Sequence, residues 1–290
     1  MELSGLIGHA EEARLLGIIV SQDHEQKARW MLEAPFRRNV YSAAKSFTSA
    51  AVGIAVREGL LCLDEKLVDA FPHDLPEVIS DNLAAATVRD LLTMCLGQEK
   101  GFLMGADRPY YENRNWAQLA LSRPFVYRPG THFVYNNSGQ YLAGLLVQRR
   151  SGTDLVHYLM PRLFEPMGIQ LPTWETDPNG NTFGAGGLFL TVDELHQFGL
   201  LYEQKGRWNG KQLVPEEWVR ESTRKQADNG REGYGYLFWR GKHDSYRADG
   251  KCEQYPIVYE DKGAVVTACA ESRISGNVLR LIEEYIYPQL

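Results

Sequence analysis

Cysteine is scarce in this sequence, with four residues in 290, and no two of them form a C-x-x-C pair. Without that spacing there is no support for a zinc ribbon or a redox-active dithiol, so we expect free thiols that pack in the core. The seven histidines likewise form no H-x-x-x-H or H-E-x-x-H pair. We therefore expect no metal site and no metal or organic cofactor.

Basic charge is also in deficit, because 31 lysines and arginines face 37 aspartates and glutamates, which gives a net charge of −6. Since nucleic acids are bound by basic surfaces, we expect no nucleic-acid partner. Long apolar runs are missing as well. Glu11, Glu12 and Arg14 interrupt the first twenty residues, which argues against a signal peptide or a membrane span and favours a cytoplasmic protein.

The hydrophobic content of 44% is enough for one large domain or for two joined lobes. Short apolar segments bounded by turn residues predict strands at 15–21, 27–33, 234–240, 244–248, 253–259 and 263–270, with terminal helices at 4–14 and 277–287. Tight turns between successive strands predict an antiparallel sheet. The fold class is thus α+β: residues 1–40 and 230–290 form a sheet lobe, and residues 41–229 form an inserted, mainly helical lobe.

The segment 41–59, YSAAKSFTSAAVGIAVREG, predicts a helix whose small and apolar residues are enclosed by neighbours. Ser42 and Lys45 are its polar exceptions, and their spacing places both side chains on one face. Burial disfavours an ammonium ion, so an enclosed lysine can be the neutral base that a serine nucleophile needs. A second S-x-x-K, from Ser222 to Lys225, lies among charged residues and is typical of a solvated helix end.

The motif Tyr41-Ser42-Ala-Ala-Lys45 and the later Tyr135-Asn136-Asn137 together resemble the serine β-lactamase and penicillin-binding protein superfamily. The closest branch comprises class C β-lactamases, D-alanyl-D-alanine carboxypeptidases and related esterases. The resemblance implies a β-lactamase-like fold, a nucleophile at Ser42 with Lys45 as candidate base, and a proton shuttle at Tyr135. That shuttle would work if the charge of the lysine lowered the pKa of the phenol. Asn137 would orient the substrate.

The third motif of that superfamily, Lys or His, then Thr or Ser, then Gly, is altered here. Its best counterpart is Ala248-Asp249-Gly250, followed by Lys251. By resemblance, Asp249, Gly250 and Lys251 line the substrate site, and the N–H groups of Ser42 and Lys251 form the oxyanion hole. The missing cation would normally help to bind a substrate carboxylate, so the sequence favours a neutral or cationic substrate over a β-lactam.

The sequence therefore predicts a serine hydrolase that acts through an acyl-enzyme on an ester or amide of a small molecule or peptide. One alternative is a β-lactamase or a D-Ala-D-Ala-type peptidase. Another is a member of the same family that binds a ligand without turning it over, which the altered third motif makes credible. The expected partner is a small-molecule or peptide substrate, and the sequence does not define an oligomeric state.

Overall fold

A computed structural model describes all 290 residues. The α-helices are α1 (Ser4–Ile7), α2 (Ala10–Ala13), α3 (Ala44–Arg57), α4 (Leu67–Ala70), α5 (Asp81–Ala85), α6 (Trp116–Leu121), α7 (Ser138–Ser151), α8 (Leu155–Leu159), α9 (Val192–Glu203), α10 (Glu216–Thr223) and α11 (Asn277–Tyr285). Short 3-10 helices are Tyr41–Ala43, Val88–Leu92, Arg108–Tyr110, Glu165–Met167, Glu260–Lys262 and Tyr287–Gln289, and a π-helical turn is Met160–Phe164.

The main sheet has six strands in the order β2-β1-β10-β9-β8-β7, and every neighbouring pair is antiparallel. Its strands are β1 (Leu15–Gln22), β2 (Glu25–Met31), β7 (Trp239–Arg240), β8 (Tyr246–Arg247), β9 (Gln254–Tyr259) and β10 (Ala264–Ala270). Two small two-stranded sheets pair β3 (Arg38–Asn39) with β4 (Phe189–Leu190), and β5 (Arg207–Trp208) with β6 (Lys211–Gln212). The predicted α+β fold, with the N-terminal hairpin joined to the C-terminal strands, is confirmed.

The two faces of the sheet are covered by different helices. Alternate residues of β1, β9 and β10 pack on one face against α1, α2 and α11, forming a small separate core. On the other face lies α9, where a Cβ at Gly199 would come within 2.7 Å of Val265, so glycine lets the helix approach the sheet closely. A capping box formed by Thr191 and Glu194 starts this helix. Although α9 lies within residues 41–229, it packs on the sheet.

Several predicted boundaries were wrong for local reasons. Residues 4–14 are two short helices, because the chain breaks at Gly8 and His9. Only the last two residues of the predicted strand 234–240 pair in the sheet, since Leu237 has a positive φ of 67°. The predicted strand 244–248 is shortened to β8 because Asp244 has a positive φ of 52° and belongs to a turn. None of the helices combines the length and the hydropathy that a membrane crossing requires.

Candidate active site

The predicted nucleophile lies in a turn that leads directly into a buried helix. Ser42 is the middle residue of the 3-10 helix Tyr41–Ala43, which continues into α3, so the predicted helix 41–59 begins with a tighter first turn. Tyr41 has a positive φ of 47°, a conformation that is uncommon outside glycine. The Oδ1 of Asn39 accepts the N–H of Tyr41 at 2.7 Å and supports this backbone. Unusual backbone geometry of this kind clusters at functional sites.

Lys45 lies one turn after Ser42 on the same face and is only 2% exposed. Its Nζ lies 3.0 Å from the Ser42 Oγ and 2.6 Å from the carbonyl oxygen of Ala185, to which it donates. Burial lowers the pKa of Lys45 to about 7, helped by the positive charge of Arg108 and opposed by the carboxylate of Asp249. Near neutral pH, a large fraction of Lys45 is therefore an uncharged amine beside the serine hydroxyl.

The side chain of Tyr135 forms the next wall of this site. Its ring centroid is 5.2 Å from the Nζ of Lys45 and 5.8 Å from the ring of Trp239, and its phenol lies close to the Ser42 hydroxyl. Burial raises the pKa of Tyr135 to about 12, although the hydrogen bond with Ser42 acts in the opposite direction. The lowering of this pKa by Lys45, which the resemblance made a condition for proton shuttling, is not observed, because burial dominates. Tyr135 is a proton donor at neutral pH.

Asn137 precedes α7 and lies against the loop that follows Gly97. Its Nδ2 donates to the carbonyl oxygen of Leu103 at 2.9 Å, while its Oδ1 is buried and has no protein partner. Buried polar atoms usually have a partner, so this acceptor could be satisfied by a donor from a bound molecule. The predicted role of Asn137 in orienting a substrate stays a prediction.

Gly250 brings the altered third motif directly against the nucleophile turn. A Cβ at this position would lie 2.2 Å from the carbonyl oxygen of Val40, so only glycine fits. The N–H of Gly250 donates to Gln254, whereas the N–H of Lys251 donates to no other protein group. That free donor is compatible with the predicted second half of an oxyanion hole. The Lys251 side chain is exposed.

Asp249 is half-buried beside this backbone and is held by Arg247. Both the Nε and the Nη2 of Arg247 donate to the Oδ2 of Asp249 at 2.9 Å. Burial raises the pKa of the Asp249 carboxyl, while the charges of Arg247 and Lys45 oppose that rise. A carboxylate paired with Arg247 therefore stands where the superfamily resemblance predicts a hydroxyl, and the side chain of Ala248 before it is buried.

A family model described as Beta-lactamase matches residues 18–275. The chain belongs to the beta-lactamase family. The family recognised from the two motifs is thus confirmed.

Two curated relatives of this beta-lactamase-family chain come from fungi. The acyltransferase calJ of Penicillium decumbens is 28% identical in an alignment 163 residues long that covers 48% of this chain and 39% of calJ. The lovastatin esterase of Penicillium rubens is 27% identical in an alignment 148 residues long that covers 44% of this chain and 37% of the esterase. The chain spans about two fifths of the length of these relatives.

Among solved structures, EstCE1, described as a hydrolase with promiscuous acyltransferase activity, superposes on this beta-lactamase-family chain with a TM-score of 0.79. The superposition covers 98% of this chain and 97% of EstCE1 at 13% sequence identity. At that identity the likeness establishes the fold alone. The predicted β-lactamase-like architecture is confirmed by the family match and by a putative beta-lactamase from Bacteroides dorei, which superposes on 97% of this chain with a TM-score of 0.79 at 18% identity.

Sequence reasoning missed Arg108, whose positive charge acts on Lys45 in this beta-lactamase-family site. Arg108 pairs with Glu175 at 2.6 Å and lies 4.1 Å from the ring centroid of Phe183. Its Nε is buried without a partner. Arg108 belongs to the loop 97–115, and no local pattern in the sequence shows that this loop folds back towards α3.

The second S-x-x-K does not form a comparable pair. Lys225 is exposed and pairs with Asp228 at 2.9 Å, as expected for a solvated helix end. Ser222 is fully buried and donates to the carbonyl oxygen of Val219, which the charged neighbourhood did not predict. This serine therefore has neither solvent access nor a neutral amine beside it.

Proposed function

We propose that this protein is a serine hydrolase that cleaves an ester or amide of a small molecule or peptide through an acyl-enzyme. The observation that carries the proposal is the pair of Ser42 and Lys45. A buried amine whose pKa is about 7 lies 3.0 Å from the serine hydroxyl, within the distance that general-base catalysis requires. An enclosed lysine is costly to bury, which favours a catalytic purpose over simple ligand binding.

In the proposed acylation step, the Oγ of Ser42 attacks the substrate carbonyl carbon while Lys45 takes the hydroxyl proton. Lys45 already donates one hydrogen to Ala185, which orients its lone pair for this transfer. The N–H groups of Ser42 and Lys251 would hold the oxyanion of the tetrahedral intermediate. Collapse of the intermediate expels the alcohol or amine, which takes a proton from the Tyr135 phenol as Lys45 returns its own proton to the tyrosine.

In deacylation, the same side chains activate a water molecule, and Ser42 becomes the leaving group. Neutral Lys45 takes a proton from a water molecule through Tyr135, and the resulting hydroxide attacks the acyl carbon. The carboxylic acid leaves as the Ser42 oxygen is reprotonated. The curated relatives include an esterase and an acyltransferase, and EstCE1 is described as having both hydrolase and acyltransferase activity. Those names support ester chemistry at this site.

Hydrolysis of β-lactams or of D-Ala-D-Ala peptides is the less favoured activity. The position that would supply a cation for a substrate carboxylate is the buried Ala248, and the nearby Arg247 is already paired with Asp249. An anionic substrate would therefore meet a carboxylate at the third motif. We expect simple esters to be cleaved faster than β-lactams by the same preparation.

The proposal is tested with p-nitrophenyl butyrate, by following p-nitrophenol release and the mass of the intact protein during turnover. We expect release with a burst and a transient butyryl adduct. Ser42→Ala should abolish both, while Ser222→Ala, which changes the serine of the other S-x-x-K, should retain both. Retained turnover in a folded Ser42→Ala variant would contradict the assignment of the nucleophile, and no turnover in the unaltered protein would favour the ligand-binding alternative.

A further inference from the structure

The position of Asp249 relative to the nucleophile is fixed by backbone packing. Gly250 follows Asp249 and lies in direct contact with the carbonyl oxygen of Val40, two residues before Ser42. The Asp249 carboxylate also acts electrostatically on both Lys45 and Tyr135. Through Gly250, Asp249 is therefore held against the segment that carries Ser42.

One oxygen of the Asp249 carboxylate accepts no hydrogen bond from the protein. Arg247 donates two hydrogen bonds to Oδ2, whereas Oδ1 accepts none from the protein and is in contact with solvent. The Arg247–Asp249 ion pair fixes the orientation of the carboxylate, so that Oδ1 is already oriented to accept a hydrogen bond from a ligand. A charged acceptor of this kind forms its strongest hydrogen bonds with a cationic donor.

Asp249 also lines a cavity of about 570 Å³ together with Lys251 and with Gly250, which contacts Val40; Ser42, Lys45 and Tyr135 are not among its lining residues. Most of the residues that line the cavity are polar or charged. Glu253 is not available to a ligand there, because its carboxylate accepts the N–H groups that begin α11. Lys251 and two arginines, Arg14 and Arg273, line the same cavity with exposed side chains, so the competing expectation is an anionic substrate.

The charges nearest to the nucleophile favour a cation over an anion. About half of Lys45 is uncharged at pH 7, and Arg108, the other cation that acts at this point, is paired with Glu175 at 2.6 Å. The positive charge of Arg247 is directed onto Oδ2 and so is already compensated. The three basic side chains that line the cavity are exposed, where solvent and salt screen their charge.

We propose that Asp249 makes the site selective for esters or amides whose acyl part carries an ammonium group a few atoms from the carbonyl carbon. The Oδ1 of Asp249 accepts a hydrogen bond from that ammonium and holds the carbonyl over Ser42. The substrate class is thus amino acids with a free amino group, linked through their carboxyl group. This inference rests on the proposed serine hydrolase function.

The test compares three benzyl esters of matched shape at pH 7.5, with benzyl alcohol release measured by chromatography. The acyl groups are β-alanyl, butyryl and monosuccinyl, which place an ammonium, a methyl group or a carboxylate at the same position. We expect kcat/KM for the β-alanyl ester to exceed that for the butyryl ester by about tenfold, as a charge-assisted hydrogen bond provides. The monosuccinyl ester should be the poorest substrate.

Asp249→Asn and Asp249→Thr should bring the ratio of kcat/KM for the β-alanyl ester to that for the butyryl ester down to about one, whatever they do to the rate of butyryl hydrolysis itself. Asp228→Asn removes the same charge from an exposed position and should leave the preference intact. Hydrolysis of the butyryl ester without a preference for the β-alanyl ester, or a preference for the monosuccinyl ester, would overturn this inference and leave the proposed function standing. The comparison in the unaltered protein needs no variant to fold. Absence of hydrolysis of all three esters would overturn the inference together with the proposed function.

Discussion

The pH dependence of ester hydrolysis follows directly from the environment of Lys45. With a pKa of about 7, Lys45 is uncharged in roughly half of the molecules at pH 7, in about 1% at pH 5 and in about 90% at pH 8. For an ordinary exposed lysine, the uncharged form would make up only about 0.04% of the molecules at pH 7. Because the neutral amine is the active form, kcat/KM should rise about tenfold per pH unit below pH 6 and level off above pH 8. Tyr135 stays protonated over this range.

The assay is kcat/KM for a neutral ester between pH 5 and pH 9.5, corrected for spontaneous hydrolysis, with circular dichroism to confirm that the protein remains folded. Lys45→Met should lower the rate by about 10² to 10⁴ and remove the inflection near pH 7. Lys225→Met, which alters the lysine of the exposed S-x-x-K, should leave both unchanged. A flat profile, or a rise that levels off only near pH 10, would refute the assignment of Lys45 as a neutral base.

Three further substitutions test the surroundings of this pair. Arg108→Gln should raise the pKa of the catalytic base and move the inflection of the profile up by about half a unit to one unit; an unmoved inflection would show that this charge does not act on the base. Gly250→Ala should cost about 1–3 kcal/mol of unfolding free energy in a denaturant titration, because the added Cβ would meet a backbone oxygen at 2.2 Å. Gly8→Ala, whose nearest contact is 3.5 Å, is its control, and equal stability of the two variants would contradict the packing argument. Tyr135→Phe should lower kcat by about 10² to 10⁴, while Tyr111→Phe, at the other Y-x-N, should not; a fully active Tyr135→Phe would exclude the phenol as proton donor.

The parts of the fold that the sequence predicted are those set by local patterns. The apolar run of the first strand and the tight turn that joins β9 to β10 each depend on a few neighbouring residues, and both are present. The strand predicted at 234–240 failed because an apolar run cannot reveal the positive φ of Leu237. Tertiary packing, not propensity, sets that conformation.

In the candidate site too, features set by local sequence were predictable and features set by tertiary contacts were not. The spacing of Ser42 and Lys45 was sufficient to place them together, since a helix fixes that neighbourhood. Arg108 and the carbonyl of Ala185 reach Lys45 from segments far away in sequence, and nothing in their local pattern indicates where those segments lie. The raised pKa of Tyr135 has no local signal in the sequence for a related reason, because the degree of burial is a tertiary property.

The most direct test of the central claim is mass spectrometry of the protein after exposure to a small fluorophosphonate at pH 7.5, with peptide mapping of the modified serine. Since such a reagent captures an activated serine whatever its natural substrate, we predict one adduct per chain, located at Ser42 and absent from Ser222. A folded protein that carries no adduct at Ser42, or that is modified at another serine, would contradict the account.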